Sequence, residues 1–341
     1  MHDVEPYPFR TEPYMRVKVW GGRKLPEVFG KSMPADADDE TPIGEAWEVA
    51  DLDEGESHVA TGPLEGEPLS RLVDLWGEDL IGTDAPSDDF PLLVKLLDAA
   101  DDLSVQVHPS EEDVATIFPE ADSKDECWII LDVDEGGSIL HGVRDGVDAE
   151  EFRRAVDEGR AAELLRRVDV DPGQIVRVVP GTIHAICSGV SLLEIQQPSD
   201  TTYRVYDYNR PGLDGEPREL HLDEAMQVAN FGGQPPTSLE GEPVEYDGAM
   251  VDVLVDVPSY RIERVRPNDA FDWRVDPRSA QVVFALRGGV EIRSGEGHSL
   301  QLESGESAVL PAAAGSVGAN PLHEDTELIV AGIGGDTLLK R

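Results

Sequence analysis

Gly173-Gln-Ile-Val-Arg-Val-Val-Pro180-Gly-Thr-Ile-His184 reads as a turn, a short apolar strand, a Pro-Gly turn and a histidine opening the next strand. Two other stretches present metal-ligand types on a strand or at its end: Ser104-Val-Gln-Val-His-Pro109 and Lys124-Asp-Glu-Cys-Trp128. Alternate residues of a strand share a face, so Gln106 and His108 can point together into one cavity. Glu126 and His184 complete a mixed nitrogen and oxygen set suited to one divalent transition metal such as zinc, Zn2+. Without a thiolate cage, and with room for water or substrate, such a site is catalytic in kind.

Working outward, most of the chain reads as short strands between Gly, Pro and Asp turns. Examples are 174–179, 191–196, 203–208, 260–265, 281–286 and 327–333. Helical spacing is confined to about 69–82, 110–118, 149–168 and 222–231, with Ser110 as N-cap and Asp113 three residues on. Many strands and few helices argue for a mainly β, sandwich or jelly-roll architecture. Periodicity breaks near 231–247, which divides the chain into 1–235, carrying the metal site and the helices, and 236–341, all strand. A weak repeat crosses that boundary. Gly173, Pro180, Gly181 and His184 are echoed by Gly305, Pro311, Gly315 and Ser316. The first copy resembles the second cupin motif, and Gln106-x-His108 with Glu126 resembles a first cupin motif whose leading histidine is glutamine. The expectation is a bicupin of two jelly-roll β-barrels, the first loaded with metal, the second without a metal site, and a few helices inserted in or packed on the first.

In the 341-residue chain, 40% hydrophobic content suffices to bury cores, and 28 Lys+Arg against 70 Asp+Glu give a net charge of −42. So acidic a surface repels nucleic acid and anionic membranes. The excess is spread along the chain, as in a solvated shell of the halophilic kind. Against that background a Lys or Arg inside an apolar segment is conspicuous. Cys127 and Cys187 lie beside Glu126 and His184, so a thiolate ligand has to be weighed, yet buried apolar cysteine is the better reading and no disulfide framework is possible. Residues 1–10 carry no apolar leader core and no run reaches membrane-spanning length, so a soluble, cytoplasmic protein is expected.

Each candidate has a plainer reading. His108 alone is a satisfied strand histidine; beside Gln106 and before a proline it is equally a ligand. Glu126 begins an apolar strand, where an unpaired carboxylate costs several kcal/mol, so it needs a cation: a metal, or Lys124 on the same face. His184 is a turn histidine or a ligand. Lys95, in an apolar strand, either snorkels at an edge or points inward to function. Arg204 pairs with Asp207 at the surface or recognises phosphate. His2, His58, His141, His221, His298 and His323 show no partner spacing and are read as non-catalytic.

The ordered stretches Leu92-Leu-Val-Lys95-Leu-Leu, Leu103-Ser-Val-Gln-Val-His-Pro109, Lys124-Asp-Glu-Cys-Trp128, Gly181-Thr-Ile-His184 and Leu193-Glu-Ile-Gln-Gln-Pro-Ser-Asp-Thr-Thr-Tyr-Arg-Val-Tyr-Asp207 carry a more specific likeness. With Trp20-Gly21-Gly22 and Ile43-Gly-Glu-Ala-Trp47, they resemble the type I mannose-6-phosphate isomerases in their short bacterial and archaeal form, across about residues 10–235. The resemblance implies zinc ligands at Gln106, His108, Glu126 and His184, Gln106 being the one that short members do not always use. It implies a catalytic arginine at Arg204, lysines near the sugar phosphate and ring oxygen at Lys95 and Lys124, and a phosphate contact at Ser104. Lys124-Asp125-Glu126 stands where family members often carry Lys-Pro-Glu or Lys-Thr-Glu, a change expected to face outward.

The implied reaction moves a proton between C1 and C2 of a sugar phosphate through a cis-enediol, interconverting mannose 6-phosphate and fructose 6-phosphate, with Glu194 or Lys124 as proton carrier. Glucose-6-phosphate isomerisation, a cupin oxygenase and a non-catalytic sugar-phosphate-binding bicupin are the alternatives. The partner expected is a small sugar phosphate, with neither nucleic acid nor membrane, and a monomer or homodimer.

Overall fold

The computed structural model describes residues 4–35, 37–38, 40–232, 241–246, 248–295 and 297–335. His2 and most of the expected domain break, 233–240 and 247, lie outside the described residues. The chain divides into two compact units. One comprises Met15–Ala46 and Lys95–Leu239; the other comprises Met1–Tyr14, Trp47–Val94 and Glu240–Arg341. Unlike the expected division, 1–14 and 47–94, read with the metal site, group with the C-terminal strands. Pairing is the reason: Phe9–Glu12 lies between Ser307–Leu310 and His58–Val59, with Phe9 opposite Val309 and Thr11 opposite Val59.

The ligand candidates lie on two antiparallel sheets. The larger runs, in spatial order, Ile175–Val178, Glu126–Val133, Val190–Gln196, Leu93–Ala99, Tyr14–Gly22 and Ile43–Val49. The smaller runs Leu165–Asp169, Ser138–Val143, His184–Ile186, Val105–Val107 and Tyr203–Tyr206. Trp128, Ile130 and Val176 of the larger sheet share one apolar cluster with Ile139 and Ile186 of the smaller. The other face of the smaller sheet, with Val107, Leu140 and Ala185, is covered by Phe152 and Val156 of the helix Ala149–Asp157 and by Ala225 and Val228 of Leu222–Val228. The mainly β expectation with helices packed on the barrel is met. The other unit repeats the plan, its eight-stranded and four-stranded sheets contributing Val265, Val283 and Leu310, and Trp273, Ile292 and Val317, to a common cluster.

Local chemistry sets several element ends. Ser110 and Asp113 form the expected capping box on Glu111–Thr116. The pattern over 69–82 is two helices, Leu69–Trp76 and Glu78–Ile81, because Gly77 takes φ 49°. The single helix expected over 149–168 is corrected. It stops at Asp157 before Gly159, passes a 3-10 turn at Ala161–Leu164, and becomes the edge strand Leu165–Asp169, where Val168 stands opposite Ile139. Strand pairing outweighed helical spacing there. The Trp20-Gly21-Gly22 and Ile43-Gly44 motifs mark a close approach: a Cβ on Gly21 would stand 2.4 Å from the Gly44 nitrogen. Both cysteines are buried and free. No helix among the described residues is long and apolar enough to cross a membrane.

Candidate metal centre

Four residues stand opposite one another across adjacent strands of the smaller sheet: His141 pairs with His184, His184 with Gln106, and Gln106 with Arg204. Directly opposed residues share a face, so these side chains form one row, and His108, two residues beyond Gln106, joins it. Glu126 comes from the larger sheet, on the face it shares with Trp128, Glu194 and Gln196 through the pairs Glu126–Gln196 and Trp128–Glu194. The turn that delivers His184 depends on Gly181 at φ +82°, where a Cβ would stand 2.9 Å from the Val228 carbonyl oxygen. The Gly181 N–H donates to the His108 carbonyl at 2.9 Å, tying the two histidine segments together.

The ligand-type atoms of His108, Glu126 and His184 lie within 4.8 Å of one another, and all three residues are buried. Glu126 Oε1 is 3.3 Å from His184 Nε2, and Oε2 is 3.6 Å from His108 Nε2 and 2.9 Å from Lys124 Nζ. Each imidazole uses its other nitrogen on a main-chain acceptor: His108 Nδ1 lies 2.9 Å from the Thr201 carbonyl, and His184 Nδ1 lies 2.8 Å from that of Thr182. A carbonyl only accepts, so Nδ1 carries the proton and the Nε2 lone pairs face Glu126. This is the arrangement in which an outer acceptor fixes the tautomer of a metal-bound histidine. His108 Nε2 and Glu126 Oε1 are buried without a hydrogen bond among the described residues, an expensive state that a shared cation relieves. Burial first, then the Lys124 charge, pulls the His108 pKa down to about 4, keeping it neutral as a ligand must be. The residues fit a divalent metal.

Gln106 reaches the cluster from the side. Its Nε2 is 3.4 Å from His184 Nε2, and its Oε1 accepts from the Ser104 hydroxyl at 3.3 Å. Behind Glu126 lies a buried charge network. Glu194 Oε1 stands 3.8 Å from Lys124 Nζ and 3.6 Å from Lys95 Nζ, while Oε2 accepts from Trp128 Nε1 at 3.0 Å. Lys95 also reaches Asp200 at 3.3 Å. Burial and then the Glu126 charge push the Glu194 pKa up. Burial opposes the charge on Lys124, but Glu126, Glu194 and Asp200 outweigh it and raise its pKa. Lys95 is buried and points inward, so it does not snorkel at a strand edge.

Arg204 does not take Asp207 as its hydrogen-bond partner; Arg210 and Arg218 grip that buried carboxylate. Arg204 Nη1 donates to the Glu219 carbonyl at 2.9 Å, and its buried Nε has no hydrogen-bond partner among the described residues. Burial, then repulsion from Arg218, lowers its pKa.

Two readings are corrected and one residue is added. Asp125 is not an outward position: it is 7% exposed and bound by Arg177. His141 is not without a partner: it is buried, opposite His184, with Nε2 at 3.2 Å from the Arg177 carbonyl. Asp200, quoted only as part of a motif, proves to be the acid facing Lys95; the buried lysine needing a counter-charge was the available signal.

The chain is similar to several known proteins. The family description "Phosphomannose isomerase type I, catalytic domain" matches residues 9–128. A Bacillus subtilis protein, "Probable mannose-6-phosphate isomerase GmuF", is 35% identical, with 90% of this chain and 94% of that protein covered. The mannose-6-phosphate isomerase of Streptococcus mutans is 32% identical over 89% of this chain and 92% of its own. The crystal structure of the Bacillus subtilis mannose 6-phosphate isomerase superposes with a TM-score of 0.81 at 30% identity, covering 95% of this chain and 99% of that one.

Proposed function

This chain belongs to the type I phosphomannose isomerases, and we propose that it interconverts mannose 6-phosphate and fructose 6-phosphate with one zinc ion held by His108, Glu126 and His184. Gln106 is the fourth ligand: a half-turn of its amide exchanges Nε2 for Oε1 beside His184. The observation that carries the reading is the buried His–Glu–His cluster with both Nδ1 atoms committed to carbonyls. Bound there, zinc supplies Lewis acidity where oxyanion charge develops on the substrate.

The protein groups divide the remaining work. Proton transfer between C1 and C2 needs a base that is unprotonated at rest and basic enough to act. Lys124 is held protonated by three carboxylates, so it donates hydrogen bonds and offsets charge. Glu194, its pKa raised, is the proton carrier: it takes the proton from C2 of the aldose and returns it to C1 through a cis-enediol, while the hydroxyl proton passes from O2 to O1. Trp128 and the two lysines fix which way its carboxylate faces. Arg204, Lys95 and Ser104 bind the phosphate and orient the reacting carbons.

We read residues 236–341 as a cupin-like β domain without a metal site. The acidic shell keeps a cytoplasmic monomer or homodimer in solution at molar salt. The test is a coupled assay of mannose 6-phosphate turnover in molar salt, on untreated, chelated and zinc-restored protein. Turnover lost to chelator, restored by zinc and absent with glucose 6-phosphate is the expected result. Silence from folded, zinc-loaded protein would end the proposal.

A further inference from the structure

Asp125 lies between Lys124 and Glu126 in sequence and faces away from both. Alternation turns its side chain to the face of Cys127, and Cys127 stands opposite Arg177, so Asp125 meets Arg177 on the diagonal. The meeting is two-pronged, with Arg177 Nε donating to Oδ1 at 3.2 Å and Nη2 donating to Oδ2. The side chains are 10% and 25% exposed, which shields the pair from salt better than a surface pair. The Asp125 main chain is held as well: its N–H donates to Gln197 Oε1 at 2.9 Å, and its carbonyl accepts from the Gln197 N–H at 3.2 Å. At its own main chain, Arg177 accepts from His141, the neighbour of His184 across the sheet. One arginine thus touches the carrier of Glu126 on one side and the support of His184 on the other.

The placement matters because the ladder between Ile175–Val178 and Glu126–Val133 ends at the pair Val178–Glu126. Lys124 and Glu126 sit at the start of a strand, where pairing on the Ile175–Val178 side ends, yet their charged ends must be aimed to a fraction of an ångström. We propose that the Arg177–Asp125 pair is a positioning device for the metal centre, holding main chain 124–126 so that the Glu126 carboxylate and the Lys124 ammonium are aimed before the ion binds. Arg177 and Asp125 touch neither metal nor substrate; they act through Glu126 and Lys124. The inference rests on the metal reading above.

The test compares wild type with D125A, R177A, R177K and the double variant D125A/R177A. It reads zinc affinity by competition with a chromophoric chelator, apo-protein melting, and kcat and KM for mannose 6-phosphate. Loss of an outer support of this kind costs ten- to a hundredfold in metal affinity. Each alanine variant is expected to weaken zinc binding by about tenfold or more and to lower kcat, with KM within about threefold of wild type. The double variant should be no worse than the worse single one, because the two side chains act as a unit. R177K, which keeps the charge and loses the fork, should recover only part of the loss. Should D125A not fold, D125N keeps its volume, removes its charge and is read the same way. Zinc affinity and kcat within about threefold of wild type, with only the melting temperature lowered, or losses that add in the double variant, overturn the inference. Wild-type protein that binds no zinc fails the metal reading itself, a separate outcome.

Discussion

Glu126 Oε1 and His184 Nε2 lie 3.3 Å apart although the two residues belong to different sheets. A buried carboxylate thus closes the distance between two layers at the point where two histidines present unprotonated nitrogens. Lys124 on one side and a pair of main-chain carbonyls on the other orient these groups. The parts of the site can be tested separately.

Glu126→Gln removes the ligand charge and leaves the Lys124 ammonium buried. Breaking a buried pair by removing one partner costs about 3–5 kcal/mol. Urea unfolding of the apo-protein should register a loss of that order, zinc affinity should fall by about a hundredfold or more, and turnover should disappear with it. Unchanged zinc affinity in a folded E126Q protein would remove Glu126 from the ligand set.

Zinc binding should itself stabilise the fold. A ligand that binds only the native state at about 100 times its Kd contributes about 2.7 kcal/mol. A rise in melting temperature on adding zinc to chelated protein, abolished in a His108→Ala/His184→Ala double variant, is the expected result. Equal rises in both proteins would locate the bound zinc elsewhere.

Gly181→Ala tests the turn that aims His184. The φ of +82° disfavours any side chain, and the new Cβ would meet the Val228 carbonyl at 2.9 Å. A loss of about 1–3 kcal/mol in stability is expected. Zinc affinity should fall with it, because Gly181 also donates to the His108 carbonyl. Wild-type stability in this variant would show that the turn relaxes without strain.

The pH dependence follows from His141. Burial, then the neighbouring His184, pulls its folded pKa down to about 4, while the unfolded chain titrates near 6.5. Between those values the unfolded state binds more protons, so apo-protein stability rises with pH across that window and levels off above it. Read in the other direction, stability present above about pH 6.5 is lost as pH falls toward 4. His141→Phe should flatten its share of that slope, on the order of 2 kcal/mol, in urea titrations at pH 5 and pH 7. An identical slope in wild type and variant would place the proton uptake on other groups.

Arg204→Lys asks whether a fork or only a charge is needed. Its Nη1 donates to the Glu219 carbonyl while its Nε stays unpartnered. Lysine keeps the charge and loses the planar donor pair. A fall of about a hundredfold in kcat/KM is expected, because the two-pronged, charge-assisted grip on the phosphate is lost. Activity within about threefold of wild type would reduce Arg204 to a structural contact.

Much of this was legible along the chain because it is encoded locally. Ser110 and Asp113 announce a capped helix three residues apart, and Gln106-x-His108 announces a shared strand face, since both rules act over a few residues. The Pro180-Gly181 turn before His184 is local in the same sense. Helical spacing over 149–168 misled at its end, because the partner that converts 165–169 into strand, Ser138–Val143, lies more than twenty residues upstream. The same non-locality carries Phe9–Glu12 to the C-terminal strands.

By itself, then, the sequence determined the residue types at the site, the strand faces that carry them and the family to which they belong, all of which follow from short-range alternation and turn chemistry. Only the tertiary structure decided which groups meet. It set Glu126 between His108, His184 and Lys124, turned Asp125 inward onto Arg177, stood His141 beside His184, and gave Asp207 to Arg210 and Arg218. Those contacts arise from strand register between distant segments and from buried charges taking whichever partner the packing brings within reach, and neither is written in the spacing of neighbours.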